Sequence, residues 1–580
     1  MRCTDIGRRQ KYRAAAIYVI FVALMIGTIR QKANMHIDDL FSYSLANHVG
    51  ALTISFQEGY TYSPVEKLYL DGLAVDREKG RFCLENVWKN QSMDVHPPLY
   101  YLLLHMVCSC FPGVFSVWFA GGLNIFFAVF TLFVWRKMMC LFLPEPGESL
   151  DFFSLLFILT TGILQNVSFF RMYVMAMFFV TLTAWMFLRL LEEGTSWWRG
   201  IALCVVSIAG ALTHYYCIVY LFFICVVYGV FLLAEKRWKD IVTLFLCMGV
   251  AAFDSVRMFP AMTYHMFSGY RGAESIQNLT HLSKEGYLER LRQFGAFLNK
   301  QLFGQWGWAA VAALFLLWCG TVLIRIMRNE KSGHAIAVFY RKKADGSGEG
   351  KAVKGEEPKF WQEDMISGQE VADIQSDTAI LAGQTHDEVE KFLLVGIPAF
   401  LYFLFVSKTA SYVTDRYLFP IYAVMLGLFF HMLVCLAKKI PFFKKPFLAV
   451  GVLCGLLTAN GWKQAEWDYL YRHSSQFLAK AQEYADANCI CIYDGVKWKV
   501  QNMFYEASQY KSMTILYEEN MEEIAWYQEL LGDGFILCAA GVDGEWALQE
   551  TLKHFPAYSH VEQVGGFAES VTYYVYRDKE

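Results

Sequence analysis

The chain has 580 residues, of which 56% are hydrophobic, 17% aromatic and only 18% charged, with a mean hydropathy of +0.30. That composition lies outside the usage of soluble domains and belongs to a membrane protein. The formal net charge of −3, with no basic patch interleaved with stacking aromatics, excludes nucleic acid as a partner.

Arg8, Arg9, Lys11 and Arg13 precede an apolar run at 14–29, and no small-residue cleavage site closes that run, so it reads as a retained first span. Further apolar runs lie near 97–111, 114–134, 151–169, 172–191, 200–213, 215–234, 240–259, 306–325, 391–407, 417–436 and 446–461. A crossing needs about 20 apolar residues, and basic residues near span ends prefer the cytoplasm. The run 97–111 is too short, and letting it cross would invert every later basic cluster, so it is expected to be an interfacial or re-entrant helix. The expectation is a polytopic α-helical membrane protein of about eleven spans with a cytoplasmic N-terminus and an extracytoplasmic C-terminus.

Four regions follow. Residues 1–325 form an N-terminal transmembrane core containing a large first extracytoplasmic loop, 30–113. Residues 326–390 form a cytoplasmic insert rich in Gly, Lys, Glu and Asp, of disordered composition. Its Gly-Ser-Gly-Glu-Gly-Lys at 346–351 is not a phosphate loop, since Ala352 follows the lysine and Asp345 takes the first glycine position. Residues 391–461 supply the last transmembrane helices. Residues 462–580 alternate strand-like runs (489–493, 513–517, 535–540, 571–576) with helical ones such as 545–554, the pattern of a small extracytoplasmic α/β domain. Most of the fifteen cysteines sit in apolar runs as small hydrophobes. Cys489 and Cys491, one residue apart, suit strand packing rather than zinc or redox chemistry.

With this topology the unusual polar residues fall on one face. Asp38 and Asp39 follow the first span. Asp94-Val95-His96-Pro97-Pro98-Leu99-Tyr100-Tyr101 closes the same loop. Arg171-Met172-Tyr173, Thr213-His214-Tyr215-Tyr216 and Asp415-Arg416-Tyr417 stand at outer span ends. Each has an ordinary explanation alone: arginine snorkels, Pro-Pro starts a helix, a lone His is structural, and paired acids cap a helix such as 40–49. Together, acids and arginines at the bilayer boundary suit sugar transfer from a lipid phosphate. One carboxylate, Asp38 or Asp39, would take the acceptor hydroxyl's proton, and a cation, Arg171 or Arg416, would stabilise the departing phosphate.

These motifs resemble the GT-C superfamily of integral-membrane glycosyltransferases, in particular the protein O-mannosyltransferase and aminoarabinose-transferase-like group often called family 39. The likeness is carried by Asp38-Asp39, by Asp94 with His96-Pro97-Pro98-Leu99-Tyr100-Tyr101, by Arg171-Met172-Tyr173 and by Arg416-Tyr417, over a layout spanning roughly residues 14–430. It implies a polyprenyl-phosphate sugar donor, inversion at the anomeric carbon, and Asp38 as catalytic base. Asp94, His96, Tyr100, Arg171, Tyr173, His214, Arg416 and Tyr417 are then expected to bind substrate. The second acid is Asp39 where the family more often has Glu, one methylene longer. Some relatives hold a divalent cation through such acids and others do without, so the cofactor stays open with a divalent cation as candidate. The partners implied are the lipid donor, the bilayer, and an acceptor protein, glycan or lipid. The setting implied is a bacterial plasma membrane with an extracytoplasmic active site. The rival readings are a transporter or flippase of lipid-linked sugars, a membrane scaffold, and transfer of a phospho-sugar.

Overall fold

The computed structural model describes residues 2–50, 53–143, 147–317, 368–438, 440 and 446–578. Among these, seven helices are long and apolar enough to cross a bilayer: Gln10–Arg30, Val117–Phe142, Tyr173–Glu193, Tyr215–Ala234, Trp238–Met258, Glu388–Thr409 and Asp415–Lys438. The protein is a polytopic helical membrane protein. The run expected as one continuous span at 151–169 is two helices, Gly147–Leu159 and Thr161–Ser168, bent by 50°. Thr160 between them takes an extended backbone, and its hydroxyl donates to the Leu156 carbonyl at 2.9 Å, satisfying a helix-end acceptor.

Three more expected runs appear as helices. Trp197–Ala211 has 15 residues, Gly307–Leu317 is the described part of 306–325, and Pro446–Gln464 closes the bundle. The run 97–111 is an eleven-residue helix, Leu99–Ser109, about 16 Å long and so too short to cross. Of the polar insert, 326–367 lies outside the described residues, and 368–390 forms the start of the helix Gly368–Thr409.

The helices sort by how much they bury. Tyr173–Glu193 and Asp415–Lys438 are 72% and 83% buried over their apolar windows, whereas Trp238–Met258 is 11% buried and exposes Phe245, Leu246 and Phe253. Such exposure would be costly in water and costs little against lipid. The central helices approach closely at Gly427, where a Cβ would lie 3.0 Å from both Trp135 Nε1 and Met138 Cε. The Trp135 indole N–H donates to the Ala423 carbonyl at 2.8 Å, so a buried donor is matched by a backbone acceptor.

The C-terminal region forms a six-stranded sheet. Its strands are β1 (Thr61–Tyr62), β2 (Asn488–Tyr493), β3 (Ser512–Tyr517), β4 (Gly534–Ala540), β5 (His560–Gly565) and β6 (Ser570–Tyr576), in the order β1-β3-β2-β4-β6-β5. The centre, β3-β2-β4, is parallel and almost wholly buried, as helix-covered parallel strands are. Cys489 and Cys491 are buried and free within β2. β1 comes from the first long loop and pairs antiparallel with β3. That loop is also bound to the domain by Gln501 Nε2 donating to Ser44 Oγ at 2.6 Å and by Tyr69 donating to the Val500 carbonyl at 3.0 Å. Ala33 N–H donates to Leu470 O at 2.8 Å, drawing the domain's first residues against the end of the first span.

Candidate active site

The two neighbouring acids open the helix Ile37–Asn47. His36 is its cap: the Nδ1 accepts from Asp38 N–H at 2.9 Å, while His36 N–H donates to Asp39 Oδ2 at 3.0 Å. This reciprocal arrangement is a capping box, and it places both acids in the first turn, where the helix dipole favours negative charge. Successive helical residues point about 100° apart. Asp39 therefore turns inward and is fully buried, while Asp38 turns to a cavity.

Asp39 is saturated. Its Oδ2 also meets Lys32 Nζ at 2.8 Å, and its Oδ1 accepts from Phe170 N–H at 2.7 Å. Phe169 is held as well: Asn124 Nδ2 donates to its carbonyl at 2.9 Å, and Tyr100 donates to Asn124 Oδ1 at 3.3 Å. These bonds fix the turn that presents Arg171. Arg416 is fixed from the other side. Its neighbour Asp415 accepts from Gln301 Nε2 at 3.0 Å and from the Tyr469 hydroxyl at 2.6 Å, and Lys32 Nζ donates to the Tyr469 carbonyl at 2.6 Å.

Both arginines converge on Asp38. Arg171 Nη2 is 3.6 Å from its Oδ1, and Arg416 Nη1 donates to its Oδ2. Burial disfavours the Asp38 charge, but the two guanidinium groups outweigh it and hold the carboxyl well below the usual carboxylate range. Asp38 leaves the arginines only partly satisfied: Arg171 Nε and Nη1 and Arg416 Nε are buried and find no partner among the described residues. Native interiors rarely leave charged donors so.

Facing them is a second pair. Asp94 Oδ2 lies 2.8 Å from His96 Nδ1. Burial opposes the Asp94 charge and His96 overcomes it, so this carboxyl sits below its usual value, while burial, more than Asp94 can offset, draws His96 down. At neutral pH the pair is a carboxylate accepting from a neutral imidazole's Nδ1–H, which leaves Nε2 with its lone pair. His214 caps the helix Tyr215–Ala234 by accepting from Tyr216 N–H at 3.0 Å. Its ring stands 6.2 Å from His96 and 5.2 Å from Tyr173.

Asp38, Asp94, His96, Arg171, Tyr173, His214, Arg416 and Tyr417 all line one cavity of about 420 Å³. Two candidates do not reach it. Asp39 is consumed by Lys32, His36 and Phe170, and the fully buried Tyr100 stands behind the wall on Asn124, so the structure gives both a supporting place. Residues not singled out in the sequence also contribute: His36, with Nδ1 3.6 Å from Asp38 Oδ2, and His265 and Arg271 in the wall. Lys32, a lysine two residues past a span, was the readable signal. A neighbouring apolar cavity of about 370 Å³ is lined by residues such as Leu221, Phe222 and Met248, and Met266 and Phe267 belong to both walls.

Among the described residues no three His, Cys, Asp or Glu side chains are grouped to hold a metal ion, and Asp38 already has two cations as partners. The residues present do not fit a divalent-cation site.

No family model and no curated protein matches the sequence. Among solved structures, ArnT from Cupriavidus metallidurans, determined bound to undecaprenyl phosphate, is similar at a TM-score of 0.44 and 11% identity, over 96% of this chain and 97% of that one. A likeness that distant decides nothing about the site.

Proposed function

We propose that the chain is a GT-C-type glycosyltransferase moving a sugar from a polyprenyl-phosphate donor to an acceptor hydroxyl, with inversion. The observation that carries the reading is the carboxylate of Asp38 held between Arg171 and Arg416 in the wall of a cavity that shares residues with an apolar one. A sugar-phosphate lipid has both kinds of surface. The guanidinium forks suit phosphate oxygens, and the apolar cavity suits the prenyl chain.

Chemistry needs little more. The acceptor oxygen attacks the anomeric carbon, the C–O bond to phosphate breaks, and its electron pair goes to the phosphate, held by Arg171 and Arg416. The hydroxyl proton goes to Asp38. Asp94, His96, Tyr173, His214 and Tyr417 shape the sugar and headgroup pocket, while Asp39 and Tyr100 hold the Arg171 turn in register. The motif resemblance supports the same assignment, an extracytoplasmic site in a bacterial plasma membrane, and a protein, glycan or lipid acceptor.

Membranes containing the protein, given a radiolabelled panel of polyprenyl-phosphate sugars, should label an endogenous acceptor and release polyprenyl phosphate. Movement of labelled lipid between leaflets without transfer would replace this reading by a flippase. Release of phospho-sugar into the acceptor would replace it by phospho-sugar transfer.

A further inference from the structure

The base and the phosphate-binding cations are not independent in this molecule. Arg416 donates directly to Asp38, and Arg171 stands 3.6 Å away, an ion pair longer than a hydrogen bond. Each guanidinium offers five N–H donors, and one carboxylate cannot saturate two such forks. Among the described residues Arg171 Nε and Nη1 and Arg416 Nε are buried and find no partner, on side chains that are 6% exposed in one case and 17% in the other. A phosphodiester, with its two unesterified oxygens and its ester oxygens, suits this pair of forks better than Asp38 does.

Asp38 is also free to leave. The hydrogen bonds that start its helix run through the His36 side chain, the Asp39 side chain and the Asp38 main chain, and the Asp38 carboxylate makes none of them. Rotation of this one side chain into the cavity of about 420 Å³ breaks no backbone hydrogen bond. Asp39, with identical chemistry one residue on, has no such freedom, because Lys32, His36 and Phe170 all hold it.

We propose that Asp38 stands in the phosphate's place between Arg171 and Arg416 in the free protein, and that the donor's phosphate displaces it, so that filling the anion site and unmasking the base are one event. The exchange makes and breaks only ion pairs. A phosphate oxygen takes the guanidinium N–H groups, and the carboxylate that held them turns to the acceptor hydroxyl. An acceptor arriving first meets a base that is occupied. This rests on the glycosyltransferase reading, in that a phosphate is the anion.

The test is binding without turnover. The probe is a short polyprenyl methyl phosphodiester, singly charged and without a transferable sugar, titrated calorimetrically into detergent-solubilised wild type, Asp38→Asn and Asp94→Asn. A self-occupied site lowers apparent affinity by the fraction of time it is blocked, so removing the blocking charge should tighten binding about tenfold. Asp94→Asn, which removes an equal charge from the same cavity, should not. Binding by Asp38→Asn that equals wild type or is weaker overturns the exchange, and so does equal tightening by both variants, which would be a general field effect. If neither wild type nor Asp38→Asn binds the probe, the function reading itself falls. Should Asp38→Asn not fold, isotope-edited infrared difference spectra of wild type labelled at the aspartate carboxyl carbon replace it. Adding the probe should shift a carboxylate stretch, and an unchanged spectrum contradicts the exchange.

Discussion

Opposite ends of the bundle each carry one aspartate between two arginines. At one end Asp151 Oδ2 lies 3.1 Å from Arg13 Nε and its Oδ1 lies 2.8 Å from Arg136 Nη2. Glu148 takes another Arg13 N–H at 3.2 Å, and Ser154 takes Arg136 Nη1 at 2.6 Å. At the other end Asp38 is the acid that Arg171 and Arg416 share. The Asp151 cluster has two acids for two arginines, and among the described residues none of its guanidinium nitrogens is both buried and without a partner. The Asp38 cluster keeps three buried guanidinium nitrogens with no partner among the described residues, and it lines a cavity. The same trio of one aspartate and two arginines is thus a closed joint in one place and, on the function proposed above, an anion site in the other. What separates them is how many buried donors are left over.

The strongest way to break this contrast is to remove one cation from each cluster. Arg171→Gln or Arg416→Gln should lower transfer rates about 100- to 1,000-fold, the scale for losing one transition-state donor. Arg136→Gln should change the rate per folded molecule only within a few fold, as initial rates at matched protein levels will read. Next in size is a stability effect. Asp39→Asn leaves Lys32 buried beside a neutral group, and breaking a buried pair costs on the order of 3–5 kcal/mol. Denaturation in detergent should show that loss, with a smaller drop in rate per folded molecule than Asp38→Asn gives.

A pH test sharpens the picture of the cavity's far wall. Burial, aided by His96 and Arg171, holds His214 well below the ordinary histidine value, and its Nδ1 must keep a lone pair to cap the helix after it. The folded state therefore binds fewer protons than the unfolded one. The stabilisation is present above the unfolded value of about 6.5 and is lost as pH falls from there toward the folded value. Thermal melts should decline below about pH 6.5, and His214→Asn, which keeps a capping acceptor, should flatten part of the decline. The smallest effect is Tyr100→Phe. It removes one 3.3 Å hydrogen bond to Asn124, worth about 1 kcal/mol, and should leave the transfer rate near wild type.

Much of this was legible in the sequence because membrane helices and charged residues announce themselves. The helical layout, the short 97–111 helix, the four main strands of the C-terminal domain, and the convergence of Asp38, Arg171 and Arg416 follow from hydropathy, strand alternation and the scarcity of charge at span ends. From the residues alone the different placing of Asp38 and Asp39 was not legible, and only the family resemblance pointed to Asp38. That placing depends on His36, not an acid, being the cap, and on Phe170, 131 residues away, supplying the N–H that Asp39 accepts. Strand β1 is two residues long and borrowed from a distant loop, so it has no alternation to read. β5 exposes three of its six residues at the sheet edge and carries no apolar period. The break at Thr160 depends on partners that hydropathy does not register: a Cβ on Gly162 would lie 2.9 Å from the Gln301 carbonyl oxygen.

The most direct test of the central claim treats the two aspartates alike. Asp38→Asn and Asp151→Asn would be compared with wild type for transfer from a polyprenyl-phosphate sugar, at matched amounts of folded protein. The account predicts a loss of at least about a hundredfold for Asp38→Asn, the low end for a missing general base, with Asp151→Asn within a few fold of wild type. Equal losses in both, or full activity of Asp38→Asn, would contradict it.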